Sequence, residues 1–289
     1  MKSVDVFLVN SFTAQGEGGN PAGVVLNADA LSDKEKLEIA KAVGYSETAF
    51  VSQDNQVDFE VSFFTVTEEV DFCGHATLAA FSTLYQQGIL TQGYYVQRTK
   101  AGLLGVNIEA DGHVVMEQKL PEYLGGFSYE DVSELVGIDS AILSSTQLPI
   151  EVISTGLADI IVPLPIGYLD QIQLHQQRTI EFCQKHSVVG IHAFELCEEG
   201  STTTASCRNF APLLGILEES ATGSASGALA CYLFKHLSKN TDSQFIFEQG
   251  RAMNCRSEIT ATVESDSLVI NKVSVGGFAS RIGRIEIKL

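Results

Sequence analysis

The chain has 289 residues, with 36 Asp and Glu against 18 Lys and Arg and a formal charge of -18. That balance argues against a nucleic-acid or anionic-membrane partner, since both depend on clustered Lys and Arg, but leaves a small anionic ligand open because helix ends hold carboxylates by short-range geometry. No apolar run approaches the roughly 18 to 20 residues that span a bilayer, and Asp5 interrupts the first apolar run, so neither a membrane anchor nor a signal peptide is expected.

Taken in order, Val4–Val9 reads as a buried strand, and the glycine-rich stretch from Phe12 to Pro21 returns the chain to a second strand, Ala22–Leu26. Ser32-Asp33-Lys34-Glu35 is a capping box. Leu37, Ala40 and Val43 continue an amphipathic helix that Gly44 ends. Glu47 then stands at the entrance of the apolar strand Thr48–Val51. The β-leaning run Phe59–Thr65 precedes Cys73-Gly74-His75-Ala76-Thr77, which feeds Phe81, Leu84 and Tyr85 at helical spacing, so Gly74 marks a helix start. Strands and turns follow from Gly93 to about Lys119, and Leu120-Pro121 is a domain boundary, dividing the chain into 1–119 and 120–289. The last strand is left open to returning to the first half.

In the second half, Ser128–Asp131 opens a helix that Gly137 closes, and Val152–Leu157 and Ile160–Leu164 read as strands meeting at a turn. Gln171–Gln184 reads as a helix. Thr222-Gly223-Ser224-Ala225-Ser226-Gly227 repeats the small-residue helix start and runs into Tyr232, Leu233 and Leu237. Phe245–Phe247, Ile259–Val263, Leu268–Ile270 and Ile285–Ile287 supply further strands. The pairs Ala49-Phe50 and Ala193-Phe194, and the two helix starts, recur at about half the chain length, which indicates a duplicated unit. The class expected is α+β (α/β), with mixed sheets in two pseudo-symmetric halves.

A helix start leaves N–H groups without internal partners and carries partial positive charge, so a carboxylate is the natural occupant in front of Gly74 and Gly223. If the two copies pack as pseudo-symmetric partners, both starts face one cleft. Around them the sequence offers Asn20, Glu47, Cys73, His75, Glu219, Thr222 and Ser224. Two acids with a His suit proton transfer on a carboxylated molecule, and scarce water would raise the pKa of Glu47 toward neutrality. Each residue also has a structural reading: Asn20 in a turn, Glu47 as a solvated strand end, Cys73 as a small hydrophobe, His75 satisfying backbone, Glu219 complementing a helix dipole. Glu47 is one-sided, because Ile191 occupies the matching place in the second half.

Other chemistries lack their signals. No GxGxxG follows a strand, and no GxxxxGK[ST], HExxH or GxSxG occurs. The six cysteines, at 73, 183, 197, 207, 231 and 255, show no CxxC or zinc-type spacing and fit reduced thiols in a cytoplasmic protein.

Seven motifs in this order resemble the PhzF-like family, named for the phenazine-biosynthesis isomerase and sharing the diaminopimelate epimerase fold. They are Gly18-Gly19-Asn20-Pro21-Ala22, Ser46-Glu47-Thr48-Ala49-Phe50-Val51, Cys73-Gly74-His75-Ala76-Thr77, Ser154-Thr155-Gly156-Leu157, Phe210-Ala211-Pro212, Ala221-Thr222-Gly223-Ser224-Ala225 and Val275-Gly276-Gly277. The resemblance implies two similar domains, each a curved sheet around a central helix, with the active site between them and a homodimer as the usual assembly. It implies a metal-free, cofactor-free double-bond isomerisation with Glu47 as general acid/base. His75 and Ser224 would hold polar groups of the substrate, and N–H groups near Gly74 and Gly223 its carboxylate.

The chain departs from the family in places. Glu219 stands where the phenazine enzyme has Asp, Glu218-Glu219-Ser220 replaces Glu-Asp-Pro, and Asn254-Cys255-Arg256-Ser257 replaces Gly-Arg-Pro-Ser. Cys73 resembles the first of the epimerase's two thiols, while Ala221-Thr222 lacks the second. An epimerase or racemase using Cys73, and a binding protein without turnover, are the alternatives.

Overall fold

The computed structural model describes residues 2–238 and 242–289. The chain forms two compact units, Met1–Glu117 with Gly276–Leu289, and Gln118–Val275. Residues from 276 onward therefore belong with the first unit, because the C-terminal strand Ala279–Lys288 pairs antiparallel with β1 (Ser3–Ser11) over its whole length.

In the first unit, β1 also pairs with β2 (Asn20–Val25), which runs through the amphipathic helix α1 (Asp33–Val43) into a parallel neighbour, β3 (Glu47–Ser52). Strand β4 (Phe59–Phe64) lies antiparallel to β3 and to the short β5 (Glu69–Val70). Helix α2 (Gly74–Gln86) carries the chain across to β6 (Gly93–Thr99), parallel to β4, and β7 (Gly102–Ile108) and β8 (Val114–Glu117) complete a meander. Helix α2 packs on β1, β2, β3, β7, β8 and the C-terminal strand, so the sheet curves around it. Its residues 75–84 are all buried. A helix apolar on every face has to be enclosed, and Ala76, Ala79, Ala80 and Ser82 let the strands approach closely. On the other face of the sheet, Ile39 and Ala40 of α1 pack with Val6, Val25, Phe50 and Phe64. The capping box at Ser32 and Glu35 and the left-handed Gly44 that ends α1 are both present.

The second unit repeats this wiring. Strands β9 (Glu122–Phe127), β10 (Ile150–Ser154) and β11 (Ala158–Leu164) are antiparallel in turn, with helices α3 (Tyr129–Val136) and α4 (Ser140–Ser144) between β9 and β10. Helix α5 (Gln176–His186) then leads to β12 (Gly190–Leu196), parallel to β11, and β13 (Ala205–Ala211) and β14 (Ile216–Glu219) follow antiparallel. Helix α6 (Gly223–His236) precedes β15 (Asp242–Gln249), which is parallel to β13 and antiparallel to β16 (Ser257–Asp266); β17 (Val269–Gly277) comes last. The sequence of pairings from β11 to β16 is that from β2 to β7, strand for strand. The duplication read from the motifs thus extends to the hydrogen-bond pattern.

Two expectations shift. The helix expected from Gln171 begins at Gln176, because the backbone N–H groups of Gln173 and His175 are tied to Val136 and Leu135 of α3 and cannot join a helical ladder. Leu268, expected in a strand, forms with Ser267 the two-residue turn before β17. Both residues have positive φ, 50° and 69°, the conformation that matches a tight hairpin to strand twist.

Among the described residues no helix is long and apolar enough to cross a membrane. All six cysteines are free thiols.

Candidate active site

The first unit gathers Glu47, Cys73 and His75. Glu47 is the first residue of β3, opposite Ala22 of β2, and Cys73 is the N-cap of α2, with its backbone extended. Thr77 pins that cap, donating from both its N–H and its hydroxyl to the Cys73 carbonyl at 3.0 and 2.9 Å. His75 follows in the first turn, and its carbonyl accepts the Ser11 hydroxyl at 2.6 Å. Asn20, which is buried, is the register partner of that Ser11, so the glycine-rich loop ends one strand position from the α2 start. Gly19 precedes it at φ +90°, where a Cβ would fall 2.6 Å from the Ser11 carbonyl oxygen; only glycine fits.

His75 Nε2 lies 3.2 Å from Glu47 Oε2, and its side chain is 6% exposed against 15% for Glu47. Cys73 Sγ is 3.4 Å from His75 Nδ1 and 3.9 Å from Nε2. This proximity reverses the expectation for Glu47. Burial alone would raise its pKa, but His75, Ser46 and Cys73 outweigh burial and hold it below the ordinary 4.5. Burial likewise opposes charge on His75, and Cys73 and the Glu47 carboxylate overcome it, placing the imidazole well above its ordinary 6.5. For Cys73, burial raises the pKa above its ordinary 9.0 against the pull of His75, and the Glu47 charge adds to the rise. These shifts favour the charged forms of Glu47 and His75 and the protonated form of Cys73. One ligand atom from each lies within 4.8 Å of the others.

Gly74, between Cys73 and His75, has nothing within 4 Å of where a Cβ would stand. The backbone there faces open space at the positive end of α2. Gly74→Ala is accordingly expected to fold normally, with stability equal to wild type or up to about 1 kcal/mol higher because Ala favours a helix over Gly. It is expected to weaken binding of a carboxylate ligand at least several-fold, which calorimetry on the two proteins would show.

The second unit builds a different group at the start of α6. Thr222 caps the helix as Cys73 caps α2, and Ser226 donates to its carbonyl from both N–H and hydroxyl at 3.1 and 2.9 Å, as Thr77 does to Cys73. The Thr222 hydroxyl donates to Glu219 Oε2. Gln249, fully buried, locks the turn. Its Nε2 donates to the Glu219 carbonyl at 2.7 Å and to Thr222 Oγ1 at 3.1 Å, while its Oε1 accepts the Thr222 N–H at 3.2 Å. The Ser224 carbonyl accepts the Thr155 hydroxyl at 3.0 Å, tying the Ser154-Thr155-Gly156 motif to α6.

Register also brings in residues that had no assigned role. His192 of β12 sits opposite Asn209 of β13, which sits opposite Glu219 of β14. His192 is wholly buried, with Nδ1 3.0 Å from Asn209 Oδ1, and burial drops its pKa to about 4 despite that partner, so it is neutral. Asp159 is 2% exposed; burial and then the Glu219 charge raise its pKa to about 7. The available signal was an Asp and a His inside otherwise apolar strands. What joins them to Glu219, strand pairing through Asn209 for His192 and its charge for Asp159, is not written in their neighbours.

Glu47 and His75 stand beside the open start of a central helix with a sheet curved around it, and the wiring of that unit is repeated in the second, the architecture of an enzyme of the epimerase-like fold. The family model for phenazine biosynthesis-like proteins, PhzC-PhzF, matches residues 9–283, and the chain belongs to that family. An uncharacterized isomerase of Clostridium acetobutylicum is 30% identical over 302 residues, covering 100% of this chain and 99% of that one. The crystal structure of the Bacillus anthracis phenazine biosynthesis protein of the PhzF family superposes with a TM-score of 0.90 at 28% identity, covering 100% of both chains. A hydroxyproline epimerase from Agrobacterium vitis shares the fold, with a TM-score of 0.63 at 11% identity over 99% of this chain and 93% of that one.

Proposed function

We propose that the protein is a cofactor-independent isomerase that moves a proton, and with it a double bond, on a small carboxylated molecule. The observation that carries this reading is the Glu47–His75 pair at 3.2 Å next to the open backbone of Gly74. The Glu47 carboxylate takes a proton from one carbon of the substrate. The electron pair left behind shifts into the adjoining unsaturated system, and Glu47, now a carboxylic acid, returns the proton at a second carbon. His75 stabilises the carboxylate between turnovers and donates to polar groups of the substrate, while the first N–H groups of α2 receive its carboxylate. In the second unit, Gly223 and Ser224 at the start of α6 offer a like anion receptor, and Glu219, held by Thr222, is a second carboxyl group for proton exchange.

The test is deuterium incorporation from D2O, followed by mass spectrometry, across small amino acids and cyclic carboxylates. Uptake into at least one compound is expected. Tight binding of a compound with no uptake into any would replace the isomerase by a binding protein.

The Cys73–His75 contact at 3.4 Å supports one second reading, a racemase with Cys73 as base. Cys73→Ser separates the two. A racemase would lose its activity, whereas the isomerase is expected to keep its rate within about tenfold, because a thiol held protonated by burial is a poor base.

A further inference from the structure

We propose that Glu47, Cys73 and His75 also form a three-ligand site for a zinc-class divalent cation, and that the cation switches the enzyme off. His75 Nε2 lies 3.2 Å from Glu47 Oε2 and 3.9 Å from Cys73 Sγ. A tetrahedral zinc ion with bonds of about 2.0–2.1 Å to N and O and about 2.3 Å to S spaces its ligand atoms about 3.3–3.6 Å apart. The third edge, Glu47 to Cys73, lies within 4.8 Å, so the Glu47 and Cys73 side chains would close on the ion by up to about an ångström. The ligands sit on fixed elements: Cys73 and His75 on the pinned first turn of α2, and Glu47 at the start of β3.

Thiolate, imidazole and carboxylate together select zinc-like ions over magnesium or calcium, which prefer oxygen ligands alone. A bare cation would be repelled by the positive end of α2, but the two anionic ligands cancel the charge of a divalent ion. Three protein ligands leave a fourth position for water or a carboxylate ligand. On binding, the Cys73 thiol and the His75 imidazolium each release a proton to solvent, so affinity falls as pH falls. The effect on turnover rests on the isomerase reading, because a Glu47 carboxylate bound to a metal cannot accept a carbon-bound proton.

Cobalt(II) is the probe, titrated into the reduced protein without substrate and followed by absorption. A thiolate-to-cobalt charge-transfer band with tetrahedral ligand-field bands is expected, saturating at one equivalent and displaced by zinc. Cys73→Ser is expected to lose the charge-transfer band, and a Cys197→Ser, Cys255→Ser double variant to keep it. Glu47→Gln, close in shape, is expected to keep the band while binding at least about tenfold more weakly. The proposal is overturned if wild type gives no band, if the band survives Cys73→Ser, or if Glu47→Gln binds as tightly as wild type. No substrate enters the measurement. A missing band thus leaves the isomerase reading standing, and a band from a protein that incorporates no deuterium leaves the metal site standing.

Discussion

Glu47→Gln is expected to lower the rate of deuterium incorporation by about 10²–10⁴-fold, the range that a positioned acid/base group supplies. The substitution keeps the volume and planar shape of the side chain and removes only its ability to take a proton. Its signature in stability is equally specific. The Glu47 pKa is depressed in the fold, so its contribution is present above the ordinary 4.5 and lost as pH falls through the folded value. The His75 pKa is raised, so its contribution is full below the ordinary 6.5 and lost as pH rises through the folded value. Both operate together between those limits. Urea denaturation at a series of pH values should therefore show the largest gap between wild type and Glu47→Gln in that window, narrowing on either side. A gap that does not vary with pH would mean that the ion pair is absent.

The same pair shows how much was legible beforehand. Local chemistry identified the ends of α1 and the starts of α2 and α6, since Ser32, Glu35, Gly44, Gly74 and Gly223 act through their own neighbours. Repetition of motifs revealed the duplication, and the pairing from β11 to β16 extends it. The charge state of Glu47 was not legible, because it depends on an imidazole from another element whose distance only the fold sets. Burial argued for a raised pKa; a partner at 3.2 Å decides for a lowered one. Asp159, His192, Asn209 and Gln249 escaped for a related reason. Each is polar within or at the end of a strand, and what joins them to Glu219 and Thr222 is cross-strand register for His192 and Asn209, side-chain bonds for Gln249, and the Glu219 charge for Asp159. Leu268 was misplaced because a turn residue with positive φ is ordinarily Gly, Asn or Asp.

Gly190→Ala is expected to cost about 3–5 kcal/mol of stability, measured by denaturant unfolding or seen as failure to accumulate in soluble form. Gly190 opens β12, paired with Asp159 on one side and packed against the end of β13 on the other. A Cβ there would lie 2.0 Å from the Phe210 carbonyl oxygen and 3.0 Å from the Ala211 Cα. Both are backbone atoms of a strand held in register through Ile191–Phe210 and His192–Asn209, so neither can yield without breaking the ladder. The same methyl group added at Gly74 meets open space. One chemical change thus has opposite expected outcomes at two glycines, loss of the fold at Gly190 and loss of ligand affinity alone at Gly74. Any Gly190→Ala protein that did persist would carry a displaced β12–β13 ladder, and with it a displaced Asn209 and Glu219. Near-wild-type stability in Gly190→Ala would show that β12 and β13 do not approach as closely as this geometry requires.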